Sequence, residues 1–263
     1  DIVRQDYPNI KAVYIDTGLE YPEIKDFVKT FDNVEIRKPE MPFTQVIQKY
    51  GYPIISKEVS KNIYYGRKAK ERGDQHMYDY YINGHRYNKK TGEEYIFMSL
   101  AKKWKPLLES DIPVSNRCCQ IMKKKPAKIY EKETGRHPFI GEMAEDSKER
   151  ETQYLHTSCN AFDSKRPISK PMGFWTEQDV LQYIKEKNIN ICSVYGKVIE
   201  ENGILKTTGV NRTGCVFCGF GIHLQSEPNK FQQMKITHPK LWNYCINNLG
   251  MGKIFDYIDV KYE

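Results

Sequence analysis

The sequence predicts an α/β fold in which short parallel strands alternate with crossover helices. The first observation is the run from Lys11 to Asp16, which is rich in β-forming apolar residues and ends on a carboxylate. The second is Pro22, which follows the turn at Thr17-Gly18 and is placed to begin a helix. The third is another short strand over residues 34–37. Strand, turn and helix in this order indicate a parallel sheet, with ligands beyond the carboxyl ends of its strands.

The remaining elements are mainly helical. Residues 73–97 are an exception, because Tyr, Asn, Gly and Lys crowd together there and predict a surface insertion. A short strand is expected over 139–141, and loops over 188–220. Helices are predicted over residues 43–72 with a break at 51–53, over 98–109, 126–134 and 146–153, from Thr176 onward, and over 231–251. We therefore expect an α/β core over residues 1–170 and a helical C-terminal part over residues 171–263 that carries a C-x-x-C motif.

Composition and charge exclude one class of protein and leave several open. The 263 residues contain no run of about 18 apolar residues, so a membrane-spanning helix is excluded. The net charge of +7, from 41 Lys and Arg against 34 Asp and Glu, suits a nucleic-acid surface, a pocket for a phosphorylated nucleotide, or solvated helix faces. Seven cysteines without a secretory signal predict a reducing, cytoplasmic location in which clustered thiols serve metal or redox chemistry.

Four cysteines in two clusters predict a metal centre. Cys215 and Cys218 form a C-x-x-C flanked by glycines, a pattern shared by zinc knuckles, redox pairs and iron–sulfur sites. Cys118 and Cys119 are adjacent, and neighbouring side chains diverge by about 100° on a helix and about 180° on a strand. A multi-iron cluster lets each thiolate bind a different iron, whereas adjacent thiolates share one ion only with backbone strain. We therefore expect a [4Fe–4S] cluster on these four cysteines, with zinc as the alternative.

A further alternative is that the cysteines are structural. Cys118 and Cys119 would then be small buried side chains, and the C-x-x-C would be a turn. Arg117 and the lysines at 123–125 oppose this interpretation, because basic side chains suit an anionic centre or substrate. The isolated cysteines, interpreted as core or surface thiols, are Cys159, Cys192 and Cys245.

With these features assembled, the chain resembles the phosphoadenylyl-sulfate reductase family of the adenine-nucleotide α-hydrolase superfamily. The matching segments occur in the family's order over residues 11–221 and leave the insertion at 73–97 unmatched. They are YIDTGLEYPE, NRCCQIMKKKP, GEMAEDSKERE, ISKPMGFWTEQDVLQYI and TGVNRTGCVFCGFG. The adjacent cysteines together with the C-x-x-C are similar to the cluster-binding branch, which includes adenylyl-sulfate reductases, and to the sulfur-handling enzymes of DNA phosphorothioation.

The resemblance implies a Rossmann-like parallel sheet with helices on both faces. The side chains that it implies for nucleotide or anion binding are Asp16, Thr17, Gly18, Lys57, Ser147, Arg150 and Arg212. The Asp16 carboxylate would accept from a ribose hydroxyl or hold Mg²⁺, and capping of a turn is its alternative role. Arg150 would contact an anion bidentately, and an i,i+4 ion pair with Asp146 is its alternative role.

Three departures from the family pattern bear on function. The family's phosphate loop, Ser-Gly-Gly-Lys-Asp-Ser, does not occur, and we expect it in a segment upstream of Asp1. Met143 stands where the family has an arginine, which removes one phosphate or sulfate contact. The reductases' nucleophilic cysteine, in a terminal Glu-Cys-Gly-Leu-His, has no counterpart after Cys245.

Three functions follow as expectations. The first is a reductase that binds adenylyl sulfate or its 3′-phosphate, attacks its sulfur with a thiolate, and releases sulfite with a thioredoxin-like reductant. The second is an ATP-pyrophosphatase-type sulfurtransferase that uses ATP, with Mg²⁺, to insert sulfur into DNA or RNA. The third is a non-catalytic nucleotide- or nucleic-acid-binding relative.

Overall fold

The computed structural model describes all 263 residues, which form two compact units. The first unit comprises Asp1–Pro39 and Lys125–Val216, and the second comprises Glu40–Lys124 and Phe217–Glu263. The boundary predicted at residue 170 falls inside the first unit. The units also divide the C-x-x-C, with Cys215 in the first and Cys218 in the second. None of the helices combines the length and the apolar character that crossing a membrane requires.

The chain is mixed α/β. Its strands are β1 (Ala12–Ile15), β2 (Val34–Arg37), β3 (Ile54–Ile55), β4 (His85–Tyr87), β5 (Glu94–Ile96), β6 (Val198–Glu201), β7 (Ile204–Thr207) and β8 (Gly219–Phe220). Its α-helices are α1 (Ile2–Asp6), α2 (Pro22–Lys29), α3 (Phe43–Tyr50), α4 (Lys57–Glu71), α5 (Gln75–Tyr78), α6 (Pro106–Glu109), α7 (Arg117–Cys119), α8 (Lys125–Thr134), α9 (Lys148–Thr157), α10 (Glu177–Glu186), α11 (Lys230–Thr237), α12 (Pro239–Asn243) and α13 (Met251–Tyr257). Short 3₁₀ and π-helical turns join several of them.

The first unit contains the predicted strand–helix–strand. β1 and β2 pair in parallel, with Ala12 opposite Val34 and Ile15 opposite Arg37. α2 connects the two strands, and Pro22 occupies its first turn, where the missing N–H costs nothing. The α/β prediction is therefore confirmed for this part of the chain.

The parallel sheet is smaller than predicted. The strands form four separate pairs, of which β1–β2 and β3–β8 are parallel and the other two are antiparallel hairpins. The strand expected over 139–141 is reduced to one bridge between Phe139 and Ser169. β1 and residues 138–141 both line a cleft of about 1020 Å³ in the first unit. β1 and residues 138–141 are therefore not hydrogen-bonded to each other as strands, and the cleft lies between them.

The second unit has an aromatic and aliphatic core. Phe231 and Phe255 are fully buried, with ring centroids 4.7 Å apart, and Ile54, Ile63 and Met251 are also buried. β3 passes through this core beside β8. A Cβ on Gly219 of β8 would lie 2.9 Å from the Pro53 carbonyl oxygen, so the pairing that follows the C-x-x-C requires glycine.

Two expectations about local structure need correction. The helix expected over 98–109 is only a 3₁₀ turn at Lys102–Trp104 followed by α6, because Pro106 has no N–H to donate within a continuing helix and instead occupies the first turn of a new one. The segment predicted as an insertion, residues 73–97, contains α5, a π-helical turn and the hairpin of β4 and β5. The segment expected to be loop contains the hairpin of β6 and β7, turned by Asn202 and Gly203 at φ of 54° and 78°. Asn-Gly is a strong signal for such a turn.

Candidate functional site

The adjacent cysteines lie at the start of a helix in the second unit. The Ser115 hydroxyl accepts a hydrogen bond from the Arg117 N–H at 3.0 Å and so fixes the first turn of α7. Cys118 is buried and Cys119 is half-buried. Their sulfur atoms are 4.0 Å apart, with the Cys118 thiol donating to Cys119. The two side chains therefore converge, although they are neighbours on a helix.

The surroundings of Cys119 favour a thiolate. The hydrogen bond from Cys118 lowers the pKa of Cys119 to about 6, assisted by the positive charges of Lys57, Lys123 and Lys124 and opposed by burial. Lys57 was predicted as a nucleotide contact, and the structure places its charge where it acts on Cys119. A thiolate is the form in which cysteine binds metals and attacks electrophiles.

Cys218 joins this environment from the start of β8. Burial raises the pKa of the Cys218 thiol, the charges of Lys230 and Lys123 oppose the rise, and the charge of Cys119 adds to it. Cys119 and Cys218 are thus close enough to interact electrostatically. Lys230 also donates to the Cys218 carbonyl oxygen. Sequence reasoning missed Lys230, which carries no motif and begins a helix twelve residues further along the chain.

Cys215 belongs to the first unit, where it lies beside the turn after β1. The N–H of Val216, the next residue, donates to the Leu19 carbonyl oxygen at 2.8 Å. Two residues before Cys215, the Thr213 hydroxyl is hydrogen-bonded to that of Tyr195 at 2.8 Å. The backbone around Cys215 is therefore held on both sides.

The donor set can be compared with the two predicted metal groups. No three His, Cys, Asp or Glu side chains in the structure are grouped closely enough to hold a metal ion. Two thiolates on one zinc ion would lie about 3.8 Å apart, given tetrahedral geometry and Zn–S bonds of about 2.3 Å. The 4.0 Å between Cys118 and Cys119 is near that value, so their adjacency does not argue against zinc. A cluster with each thiolate on a different iron requires rotation of these side chains.

Asp16, Thr17 and Gly18 form a locally satisfied turn at the end of β1. The Asp16 carboxylate accepts from the Gly18 N–H at 3.1 Å and pairs with Lys25 at 3.0 Å. Burial would raise the pKa of Asp16, but the hydrogen bonds from Lys25 and Gly18 outweigh it and lower that pKa. Thr17 is buried, and its hydroxyl donates to Glu20 at 2.6 Å. The turn-capping role of Asp16 is therefore the one that its contacts show.

Ser147, Arg150 and Arg212 come together at the start of α9. The Ser147 hydroxyl caps the helix by accepting from the Arg150 N–H at 3.3 Å. Arg150 pairs with the Asp146 carboxylate at 2.5 Å and with Glu142 at 3.6 Å. Arg212 donates to the Asp146 carbonyl oxygen at 3.4 Å. Two of the predicted anion-binding cations thus meet around Asp146, and Arg150 makes the i,i+4 ion pair given as its alternative role.

A comparison with known protein families shows to which family the chain belongs. The family model described as the phosphoadenosine phosphosulfate reductase domain matches residues 68–219, more than half of the chain. The chain belongs to the phosphoadenosine phosphosulfate reductase family. No curated protein matches the chain.

The match to the reductase family covers most of the candidate site. It includes all four clustered cysteines together with Ser147, Arg150 and Arg212, and it spans the insertion at 73–97. The turn at residues 16–18 and Lys57 lie outside it. Family membership supports an enzyme that acts on a nucleotide and on sulfur. It also supports the predicted Rossmann-like fold, although the sheet of this chain is small and divided into separate strand pairs.

One cysteine of this family member, Cys245, can be excluded as a nucleophile. Cys245 has no exposed surface, and burial raises the pKa of its thiol to about 12. A thiol held neutral within the core does not attack a nucleotide substrate. Cys192 is also buried, whereas Cys159 is half-buried. The interpretation of Cys245 as a core thiol is confirmed.

The cleft of the first unit is lined by residues other than those predicted to form the site. It is lined by α1, β1, residues 136–141 and parts of α8 and α10. None of the residues predicted to bind nucleotide or metal lines it. The cleft is therefore a feature of the sheet edge rather than of the candidate site.

Proposed function

We propose that the chain is a reductase-like enzyme that handles an adenylyl sulfur donor beside a [4Fe–4S] cluster bound by Cys118, Cys119, Cys215 and Cys218. The observation that carries this proposal is the family match, which extends over all four cysteines. The lysines around Cys119 support it, because they favour the deprotonated sulfur that iron requires. The substrate would be adenylyl sulfate or its 3′-phosphate, and a thioredoxin-like protein would be the reductant.

An unpartnered donor next to the cysteines supports an anionic group at this place. Arg117 Nε is buried and makes no hydrogen bond. Its Nη1 reaches the Tyr65 hydroxyl at 3.3 Å, and its guanidinium carbon lies 5.7 Å from the centre of the Tyr50 ring. A buried donor of this kind is costly unless a partner is supplied. A cluster with four thiolates, or a sulfate next to it, would supply one.

The cysteines and the arginines have different roles in this proposal. The cluster would supply electrostatic polarisation of the sulfate. Arg150 and Arg212 would exchange their contacts at Asp146 for phosphate or sulfate oxygens, which a guanidinium binds bidentately. Met143 provides no such contact, so fewer cationic side chains would bind the substrate's phosphate or sulfate than in family members with arginine at this position.

The chain's basic balance supports a second candidate function, because a net charge of +7 suits a nucleic-acid substrate. Cys245 is neutral and buried, so it would not supply the free thiol that a reductase needs for attack on sulfur. An ATP-pyrophosphatase-type sulfurtransferase adenylates its substrate and needs no such cysteine. We therefore keep sulfur insertion into a nucleic acid, with ATP and Mg²⁺, as the alternative.

Metal content tests the cluster. The chain would be reconstituted anaerobically with iron and sulfide, and iron, zinc and acid-labile sulfide would be measured. Four irons per chain are expected, with strong loss of iron in Cys119→Ser and Cys218→Ser. Cys159→Ser, which changes a half-buried cysteine outside the clusters, should keep full iron content. One zinc and no sulfide would refute the cluster while leaving the metal site.

Product analysis separates the two reactions. Sulfite release from adenylyl sulfate with a thioredoxin supports the reductase. Pyrophosphate release from ATP that depends on a nucleic acid and a sulfur donor supports the sulfurtransferase. If the cluster-loaded protein gives neither product, both enzyme functions are wrong and the non-catalytic relative remains.

A further inference from the structure

The hairpin of the second unit presents an unusual surface. We call residues 85–105, from β4 through the turn at Lys102–Trp104 to Lys105, the hairpin platform. Five apolar side chains on it are about half exposed or more: Tyr87, Tyr95, Ile96, Phe97 and Met98. Single exposed apolar side chains are ordinary on proteins, whereas a group of this size marks an interaction surface.

The platform is attached to the rest of the second unit by several contacts. The Arg86 guanidinium carbon lies 3.5 Å from the centre of the Tyr80 ring, and Arg86 also donates to the Tyr80 carbonyl oxygen. Tyr81 stacks on Tyr65 of α4 with ring centroids 5.2 Å apart. Leu100 is buried, and its N–H donates to the Ile82 carbonyl oxygen at 2.8 Å. Arg86 is directly opposite Tyr95, so its contact with Tyr80 holds the strands on the face that carries Tyr95 and Phe97, whereas Tyr87 and Ile96 lie on the other face.

The platform also concentrates positive charge. Its five lysines are exposed and none of them forms an ion pair: Lys89, Lys90, Lys102, Lys103 and Lys105. By contrast, two of the four lysines of α4 form ion pairs, Lys61 with Glu58 and Lys70 with Glu109. The platform has two acidic residues, Glu93 and Glu94, and Glu93 accepts a hydrogen bond from Thr91.

This charge accounts for much of the chain's basic character. Residues 85–105 contain six Lys and Arg against two Asp and Glu, an excess of four in a chain whose net charge is +7. An anionic partner is therefore complementary to this surface.

The spacing of two rings fits a nucleic-acid base. Tyr95 lies opposite Arg86 in the hairpin, and Phe97 continues the pairing through its N–H to the Gly84 carbonyl oxygen at 2.8 Å. By alternation, Tyr95 and Phe97 share one side of the hairpin and lie about 6.7 Å apart along it. This is about twice the 3.4 Å between stacked bases, so one unpaired base can stack between the two rings.

We propose that the hairpin platform binds an extended single-stranded nucleic acid, with bases stacked on Tyr95 and Phe97 and phosphates bound by the unpaired lysines. Exposed aromatic rings beside a basic track are the arrangement by which proteins hold single strands. In a duplex the bases stack on one another, so no base is available to stack on the two rings. The platform shares no residue with the proposed site of sulfur chemistry, so its binding of nucleic acid is tested separately.

Fluorescence anisotropy of the whole chain with a labelled oligothymidylate of about 16 nucleotides tests the proposal. Tyr95→Ala with Phe97→Ala should weaken binding about 5- to 150-fold, since a stacked base contributes about 1–3 kcal/mol. Lys89→Gln with Lys90→Gln should reduce the slope of log affinity against log salt by about 1.4, because single strands give about 0.7 for each phosphate. Thermal unfolding should be unchanged, because all four side chains are exposed.

Matched substitutions away from the platform serve as controls. Phe162→Ala removes another exposed ring, and Lys187→Gln with Lys240→Gln removes two other exposed charges. These variants should bind like the wild type. The proposal is overturned if the ring variant binds with unchanged affinity, if duplex DNA binds as tightly as the single strand, or if vesicles containing anionic lipid bind the platform and the oligonucleotide does not.

Discussion

Arg67 of α4 is predicted to be the main support of the segment that leads to the cysteines. Its guanidinium donates to the carbonyl oxygens of Ser110 at 2.7 Å, Ile112 at 2.8 Å and Leu108 at 3.2 Å, and also to that of Leu107. These carbonyls follow or end α6, where a helix leaves its last acceptors without partners. Five residues after Ile112, α7 begins and carries the adjacent cysteines.

We expect Arg67→Met to lower the free energy of unfolding by about 3 kcal/mol. Hydrogen bonds to a charged group contribute about 1.5–3 kcal/mol each, and four carbonyl oxygens lose their donor. The sum is smaller than four such bonds, because water reaches part of the guanidinium and the freed carbonyls. Urea unfolding followed by circular dichroism measures the change, which should appear in the midpoint with an unchanged slope.

Lys70→Met is the matched control. Lys70 lies one turn further along α4 and contacts the same segment through an exposed ion pair with Glu109 at 2.7 Å. Exposed ion pairs contribute about 0–1 kcal/mol, so this variant should unfold near the wild-type midpoint. If Arg67→Met costs no more than Lys70→Met, the carbonyls find other partners and the reasoning is wrong.

Three further predictions follow from single contacts. Asp16→Asn should lower stability most near neutral pH and by progressively less at acidic pH. The folded-state pKa of Asp16 is lowered, so the carboxylate's contribution is present above its unfolded pKa of about 3.9 and is lost as pH falls through the folded value. Urea midpoints of the variant and the wild type at neutral and acidic pH measure this, and a difference that stays constant would contradict it. Gly219→Ala should cost about 1–3 kcal/mol, because its Cβ would lie 2.9 Å from the Pro53 carbonyl oxygen; a chemical-unfolding midpoint equal to the wild type would show that β3 and β8 separate freely. Cys245 should stay unlabelled by iodoacetamide at neutral pH in the folded chain and react after unfolding; mass spectrometry of the peptide decides, and labelling before unfolding would be inconsistent with its raised pKa.

Local elements were the most predictable part of the molecule. Thr176 caps α10 as expected. Its hydroxyl accepts from the Asp179 N–H at 3.2 Å, and the Asp179 carboxylate accepts from the Thr176 N–H at 2.8 Å. The helix predicted over 126–134 is α8, and Gly135 follows it at a φ of 68°. Such elements are readable because their hydrogen bonds join residues a few positions apart. The hairpin at Asn202-Gly203 was readable for the same reason but was missed.

The family relationship was also determined by the sequence. The motifs around the cysteines and at Ser147–Arg150 led to the family that the comparison then confirmed. The motifs did not determine what each side chain contacts. Arg150 matches a family position, yet its guanidinium is engaged by Asp146 and Glu142.

Only the tertiary structure decided how distant segments combine. It placed Lys57 and Cys218 in electrostatic reach of Cys119, brought Arg212 to Asp146, and assembled each unit from two separate stretches of chain. It also reduced the expected sheet to short pairs and grouped exposed rings with unpaired lysines on one hairpin. Periodicity and capping act within a few residues, whereas burial and charge act through space between residues of any separation. The sequence by itself therefore determined the local elements, the four cysteines and the family, and packing decided which of their side chains meet.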